Sequence, residues 1–414
     1  MLRKVHISNI FAFFLFAGMV TLPFLPPNLT IFFSICFSCL ILFNTPILKL
    51  SFIKSSMLLT LIFAIGVFSG LSSFSDNIYF YFRDASYFIH PLILLFIGHS
   101  IINKSFGIKK LLKLIVKAAV VNSVINYSSF FVNLVSSFQF DLNQRYEFDL
   151  LSGFAVIGFL IIYCSKTTSF HLFKARAEIM LLIFFSLVII LSFSRTNMGI
   201  LLVLFSIPIL NKFLSFKKLF VLFVGIITLV IFGGSFLTVA IPEFEATNFM
   251  EKVSYSASEI LVRNYDTAQE INIYWRSQEA FLGLTKYLEG TNFQLIFGQG
   301  FGSYASASGI FKYKLQVIPY FHNGFITILL KSGAIGLLMF FAFLFSLVKL
   351  SFNSLKTDNK KSSYYRLMIQ GVVVILIFQT LFIMGIYSPD VSVMLMVLIG
   401  AIIKERKTII INYD

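Results

Sequence analysis

The sequence predicts an all-α, polytopic membrane protein of about twelve transmembrane helices, taking roughly 20 apolar residues per crossing, with one large extracytoplasmic loop domain. Three observations predict this class. The 414 residues are 58% hydrophobic and only 12% charged, where a soluble domain carries about 25% charged residues. Apolar runs of span length recur from end to end, mean hydropathy is +0.89, and the alternating pattern of an outer-membrane barrel is missing. Lysine and arginine concentrate in every second loop, as they do on the cytoplasmic side of multispan proteins.

The expected spans are 7–25, 29–48, 55–73, 80–101, 114–137, 150–164, 178–193, 197–210, 219–240, 334–349, 367–387 and 391–403. The first follows Met1-Leu-Arg-Lys and ends at Pro23, Pro26 and Pro27. No small-residue cleavage site follows it, so it reads as a retained helix rather than a signal peptide. Lys49 and Lys54 divide the second span from the third. The fourth carries Arg83 and Asp84 near its outer end and is followed by Lys104, Lys109, Lys110 and Lys113. A polar loop, Gln139 to Asp149, leads to the sixth span, and Lys166, Lys174 and Arg176 precede the seventh. Only the turn Ser194-Arg195-Thr196 separates the seventh from the eighth. Lys212, Lys217 and Lys218 precede the ninth, Lys349 to Arg366 the eleventh, and Lys404-Glu-Arg-Lys407 close the twelfth.

With the N-terminus inside, the basic clusters 3–4, 49–54, 104–113, 166–176, 212–218, 349–366 and 404–407 all fall on one side. The expected topology therefore has both termini cytoplasmic and the long loop outside. The net charge of +15 is explained by orientation and calls for no nucleic-acid partner. Four regions follow: an N-terminal transmembrane bundle (1–178), a Ser-Arg helical hairpin with the ninth span (179–241), the extracytoplasmic catalytic loop (242–333) and C-terminal transmembrane helices (334–414). The loop is slightly acidic. Trp275, Phe281, Leu282, Leu284, Tyr287 and Leu288 recur in it at helical spacing, which predicts a small helical cap on the outer membrane face.

The candidate chemical groups cluster in and beside this loop. Arg195 sits at a helix boundary, where it either snorkels to headgroups or serves function. Arg276, beside Trp275, carries a fork suited to phosphate; the alternative is a surface arginine paired with Glu279. His322, beside Asn323, is either a general base or an interfacial side chain with a satisfied hydrogen bond. Of the other histidines, His6, His99 and His171 fall at cytoplasmic ends and His90 lies mid-span next to Pro91. Gly298, Gly300 and Gly302 lack the strand–turn–helix context of a nucleotide loop and read as a tight turn bringing the cap back to the membrane. Cys36, Cys39 and Cys164 lie in apolar runs and imply buried packing rather than a disulfide or metal site. No metal motif is present in an outer loop. Asp390, Asp141 and Asp149 are minor candidates for sugar contacts.

Four pieces in order, over roughly Ile179 to Lys349, resemble the O-antigen ligase/polymerase family of bacterial envelope glycosyltransferases: LSFSRTNMGILL, YWRSQEA, IFGQGFGSY and HNGFITILLKSGAIGLLMFF. The resemblance implies a GT-C-like fold in the bacterial inner membrane, with the loop periplasmic. It implies transfer of a glycan from undecaprenyl diphosphate to an acceptor hydroxyl, without metal or other cofactor. Carried over by position, Arg195 and Arg276 hold the diphosphate, and His322 deprotonates or orients the acceptor. The arginines would meet the charge developing on the leaving group. Two departures stand out. Trp275 directly precedes Arg276, which raises Arg263 as an alternative diphosphate ligand, and Lys331 stands where the family often has an acid. The expected function is polymerisation of O-antigen or capsule repeat units, with ligation of finished polymer to lipid A–core as the alternative and a flippase behind both. The expected partners are the lipid-linked oligosaccharide, the bilayer and a chain-length regulator.

Overall fold

Apolar runs in lipid satisfy their backbone groups only within themselves, so a chain this apolar folds as helices. The computed structural model describes residues 2–44, 50–74, 77–103, 106–137, 152–192, 194–213, 262, 264–265, 267, 270–271, 274–306, 317–352 and 360–411. Helices stand at every expected span except 219–240, which lies outside the described residues. In the first half they are α1 (Leu2–Thr21), α2 (Pro27–Asn44), α3 (Leu50–Ser69), α4 (Ile78–Ile101), α5 (Ile108–Ser137), α6 (Ser152–Thr167), α7 (Ala175–Leu191) and α8 (Arg195–Phe213). The loop contributes α9 (Trp275–Leu288) and α10 (Asn292–Phe297), and the chain continues with α11 (Gly324–Phe352), α12 (Lys360–Phe382) and α13 (Pro389–Ile411). Among the described residues, α4, α11 and α12 are long and apolar enough to cross a membrane.

Helix α13 lies against α4 at backbone contact. A Cβ on Gly98 would overlap the Val397 carbonyl, and one on Gly400 would overlap that of Leu95; small residues permit such close helix pairs in lipid. Large apolar side chains point outward instead, among them Phe13, Phe32, Phe68, Met180 and Leu202. That pattern suits a lipid surround better than water. Helix α2 buries one stripe, Ile31, Ser34, Ser38 and Ile41. Cys36 and Cys39 fall off that stripe and are exposed, contrary to the expected burial, whereas Cys164 is buried.

Two further departures concern the loop. It was expected to be helical only, yet β1 (Ala305–Ser306) pairs antiparallel with β2 (Val317–Ile318), Ala305 opposite Ile318. The helix after it starts at Gly324 rather than at 334 and is broken at Gly333, where φ is 68°. Its first segment, 324–332, is buried. Its side chains Ile326, Leu329 and Leu330 join Tyr274, Ala280, Ile318 and Phe321 in a second apolar core under the loop.

Candidate functional site

The first segment of α11 carries the site. Asn323 is its N-cap: Asn323 Oδ1 accepts from the backbone N–H of Phe325 at 3.1 Å and of Ile326 at 3.3 Å. Asparagine is among the best caps because its short side chain reaches these otherwise unpaired donors. The Thr327 hydroxyl accepts from Phe321 N–H at 3.1 Å, and Gly324 N–H donates to the Ile383 carbonyl at 3.1 Å. His322 is therefore fixed on both sides.

Helix α9 then supplies a partner for it. Glu279 is fully buried, and its Oε1 accepts from the His322 backbone N–H at 2.8 Å. Its Oε2 lies 3.0 Å from His322 Nδ1. A carboxylate only accepts, so in the neutral imidazole the ring proton sits on Nδ1 and the lone pair on Nε2. The His322 side chain is 30% exposed, so the ring remains reachable. The sequence alternative that paired Glu279 with Arg276 is overturned, because no carboxylate among the described residues pairs with Arg276.

The expected apolar face of α9 holds in part: Tyr287 is buried and Trp275, Phe281, Leu282 and Leu284 pack half-buried against the loop core, but the most buried positions of the helix include small and polar residues. Its buried positions are Ser277, Gln278, Glu279, Ala280, Gly283 and Tyr287, whereas Leu288 is exposed. Small and polar residues win because α9 presses directly on α11. A Cβ on Gly283 would come within 2.8 Å of Ile326 and 2.9 Å of Phe321. Tyr287 donates to the Leu295 carbonyl at 2.6 Å, tying α9 to α10, and burial pushes its phenol above the ordinary value.

Trp275 meets the His322 ring edge-on at 4.5 Å between centroids. The Arg276 guanidinium stands 5.4 Å from the Trp275 ring centroid, and its Nε is buried without a hydrogen-bond partner. Trp275, Arg276, Glu279, His322 and Asn323 are thus brought together. Arg195 opens α8; its side chain lies outside the described residues. Its helix end is placed by Gly199, whose Cβ would touch Phe378 of α12 at 3.2 Å, near the end of α12 that receives Gly324. Arg263, Asp141 and Asp149 lie outside the described residues, as does the side chain of Asp390. Among the described residues, no group of three or more His, Cys, Asp or Glu side chains could hold a metal ion.

The glycine turn is a wedge. Gly298, Gly300 and Gly302 have φ of 85°, 82° and 88°, conformations that glycine adopts without a steric penalty. A Cβ on Gly300 would overlap the backbone of Gly70, and one on Gly298 would come within 2.5 Å of Ser332 N. Gln299 N–H donates to the Leu330 carbonyl at 2.8 Å and Phe301 N–H to that of Gly66 at 2.9 Å. The turn therefore locks the loop between α3 and the break in α11.

Comparison with known proteins finds no family model that matches the chain and no curated protein that aligns with it significantly.

Two groups were missed by sequence reasoning. Glu279 carried a weak signal, since it lies one helical turn after Trp275 and so shares its face. Arg83 and Asp84 carried a stronger one: two ionisable residues inside an apolar run. Lys331, noted only as a departure, is buried and pairs with Asp84 across 247 positions of sequence. Behind the turn lies a cleft of about 520 Å³ lined by Asn77, Lys286, Glu289, Gln299, Ser303 and Tyr304, among others. Neither His322 nor Arg276 lines it.

Proposed function

We propose that the chain is a glycosyltransferase of about twelve spans, GT-C-like in plan, that polymerises lipid-linked O-antigen or capsule repeat units on the outer face of a bacterial inner membrane. The observation that carries this reading is the Glu279–His322 pair, roofed by Trp275 beside Arg276, at the head of a helix of span length. An imidazole oriented by a buried carboxylate, with its side chain partly exposed, is the arrangement of a general base. The outward-facing apolar side chains and the four resembling motifs support the same reading.

In the proposed reaction the acceptor hydroxyl gives its proton to His322 Nε2. Its oxygen attacks the anomeric carbon of the donor glycan, and the bond from that carbon to the diphosphate oxygen breaks. The electron pair leaves on the undecaprenyl diphosphate, whose charge is met by Arg276 and by Arg195. No metal ion or other cofactor enters the proposed reaction.

A surface-glycan gel of a strain lacking the chain, run beside its lipid-linked glycans, tests the proposal. Single repeat units on the core with no ladder are expected. Bare core with polymer stranded on the carrier would assign the ligase reaction instead. Repeat units trapped on the inner face would assign a flippase. Unchanged surface and lipid-linked glycans would remove these readings together.

A further inference from the structure

The cluster that holds the glycine turn to α4 contains more positive than negative charge. Arg83 Nη2 donates to Asp84 Oδ1 at 2.9 Å. Asp84 Oδ2 accepts from Lys331 Nζ at 2.5 Å and from the Gly302 backbone N–H at 3.0 Å. Lys331 also donates to the Ser303 carbonyl. Lys331 is 1% exposed, Asp84 3% and Arg83 10%. Two cations thus share one carboxylate in a nearly dry site, where desolvation makes unneutralised charge costly.

Asp84 and Lys331 are satisfied within the cluster. Arg83 is not: a guanidinium has five N–H donors, and among the described residues only Nη2 is engaged. Its Nε is buried without a partner. Buried donors are paired in nearly all proteins, so an orphan in a charged cluster marks a place for an acceptor. The guanidinium carbon lies 4.9 Å from the Phe80 ring centroid and 5.0 Å from that of Tyr320. Ring packing of this kind holds the fork in place. Tyr320 is two residues before His322, so their Cα atoms are at most about 7 Å apart.

We propose that Arg83 is the grip of a buried anion site that takes the diphosphate of the prenyl-linked donor alongside Arg276 and Arg195, and that Asp84, Lys331 and Gly302 position it. The identity of the ligand rests on the donor proposed above; the anion site itself does not. The lone positive charge left by the pairing is neutralised when the ligand binds. Asp84 turns the guanidinium, and Lys331 and Gly302 hold Asp84, so the glycine turn is coupled to the grip. Lys331, where the resembling family often has an acid, acquires a reason: it offsets Asp84, so that Arg83, held to Asp84 by Nη2, keeps its other donors for the ligand.

The test uses the full chain in nanodiscs, titrated with inorganic pyrophosphate, farnesyl diphosphate and farnesol by calorimetry. Both diphosphates are expected to bind, and farnesol far more weakly than farnesyl diphosphate. Arg83→Gln is expected to weaken both diphosphates about 10- to 100-fold, the loss of one or more charge-assisted hydrogen bonds. Arg83→Lys keeps the charge but not the fork, and a weakening of both diphosphates is expected with it too. This second variant decides the matter if the glutamine variant does not fold. Wild-type affinity in either folded variant overturns the proposal, as does a wild-type chain that binds neither diphosphate. Tighter binding of farnesyl diphosphate than of pyrophosphate supports a lipid-borne ligand; the reverse order overturns the lipid assignment. Unchanged glycans in the deletion strain beside an Arg83-dependent diphosphate site would remove the polymerase reading alone. A polymerase phenotype with Arg83-independent binding would remove the anion site alone.

Discussion

Glu279→Gln separates the general-base reading from a merely structural one. In the native protein Glu279 Oε1 accepts from the His322 backbone N–H at 2.8 Å and Oε2 faces Nδ1 at 3.0 Å. Glutamine keeps the shape, and its carbonyl can still accept from the backbone. Its NH₂ then stands where Oε2 stood. Two N–H donors cannot face each other, so the imidazole proton moves to Nε2 and the base loses its lone pair toward the acceptor. General-base catalysis contributes about 10²- to 10⁴-fold, and a loss in that range is expected in kcat with little change in KM. Stability is expected to fall by about 1–3 kcal/mol as one charge-assisted hydrogen bond is replaced by a neutral one. The assay is single-turnover extension of a purified lipid-diphosphate oligosaccharide by the chain in nanodiscs, with products read on a gel. Wild-type turnover in a folded Glu279→Gln protein would refute the reasoning. So would a loss confined to thermal stability.

Other consequences are checked more simply. Asn323→Ala removes the cap of α11 and is expected to cost about 0.5–2 kcal/mol with a parallel loss of activity, whereas Asn323→Ser recovers both; thermal unfolding of the two variants checks it. Gly300→Ala forces a side chain against the Gly70 backbone at a φ of 82°, so the variant is expected to fail to accumulate as folded, monodisperse protein on size exclusion. Lys331→Ala removes one charge-assisted hydrogen bond but leaves Asp84 paired with Arg83 and the Gly302 N–H, so a cost of about 1–3 kcal/mol is expected. The double variant Lys331→Ala/Asp84→Ala also strips Arg83 of its carboxylate and is expected to be less stable than Lys331→Ala, and a double-mutant cycle on melting temperature measures the coupling. Gly283→Val is expected to lift α9 from Phe321 and Ile326, read as lost protection of Glu279 and Ala280 amides in hydrogen exchange.

The sequence by itself determined the helical class and the approximate place of the described helices that stand at the expected spans. Apolar runs and prolines are local signals, and a helix satisfies its backbone from its own neighbours. It also marked the glycine turn and the His322-Asn323 step, because glycine and capping residues act within a few positions of themselves. What only the tertiary structure decided is which charged groups meet. Glu279 looked like a surface partner for Arg276 and instead orients His322, 43 positions away. Lys331 looked like a departure from the resembling family's pattern and is the counter-ion of Asp84. Trp275 and Gly283 owe their roles to how closely α9 presses on α11, and the turn at Gly300 to the place where α3 ends. A buried charge gives no periodic trace in a sequence; its partner is selected by long-range packing, where an unpaired charge is too costly to leave.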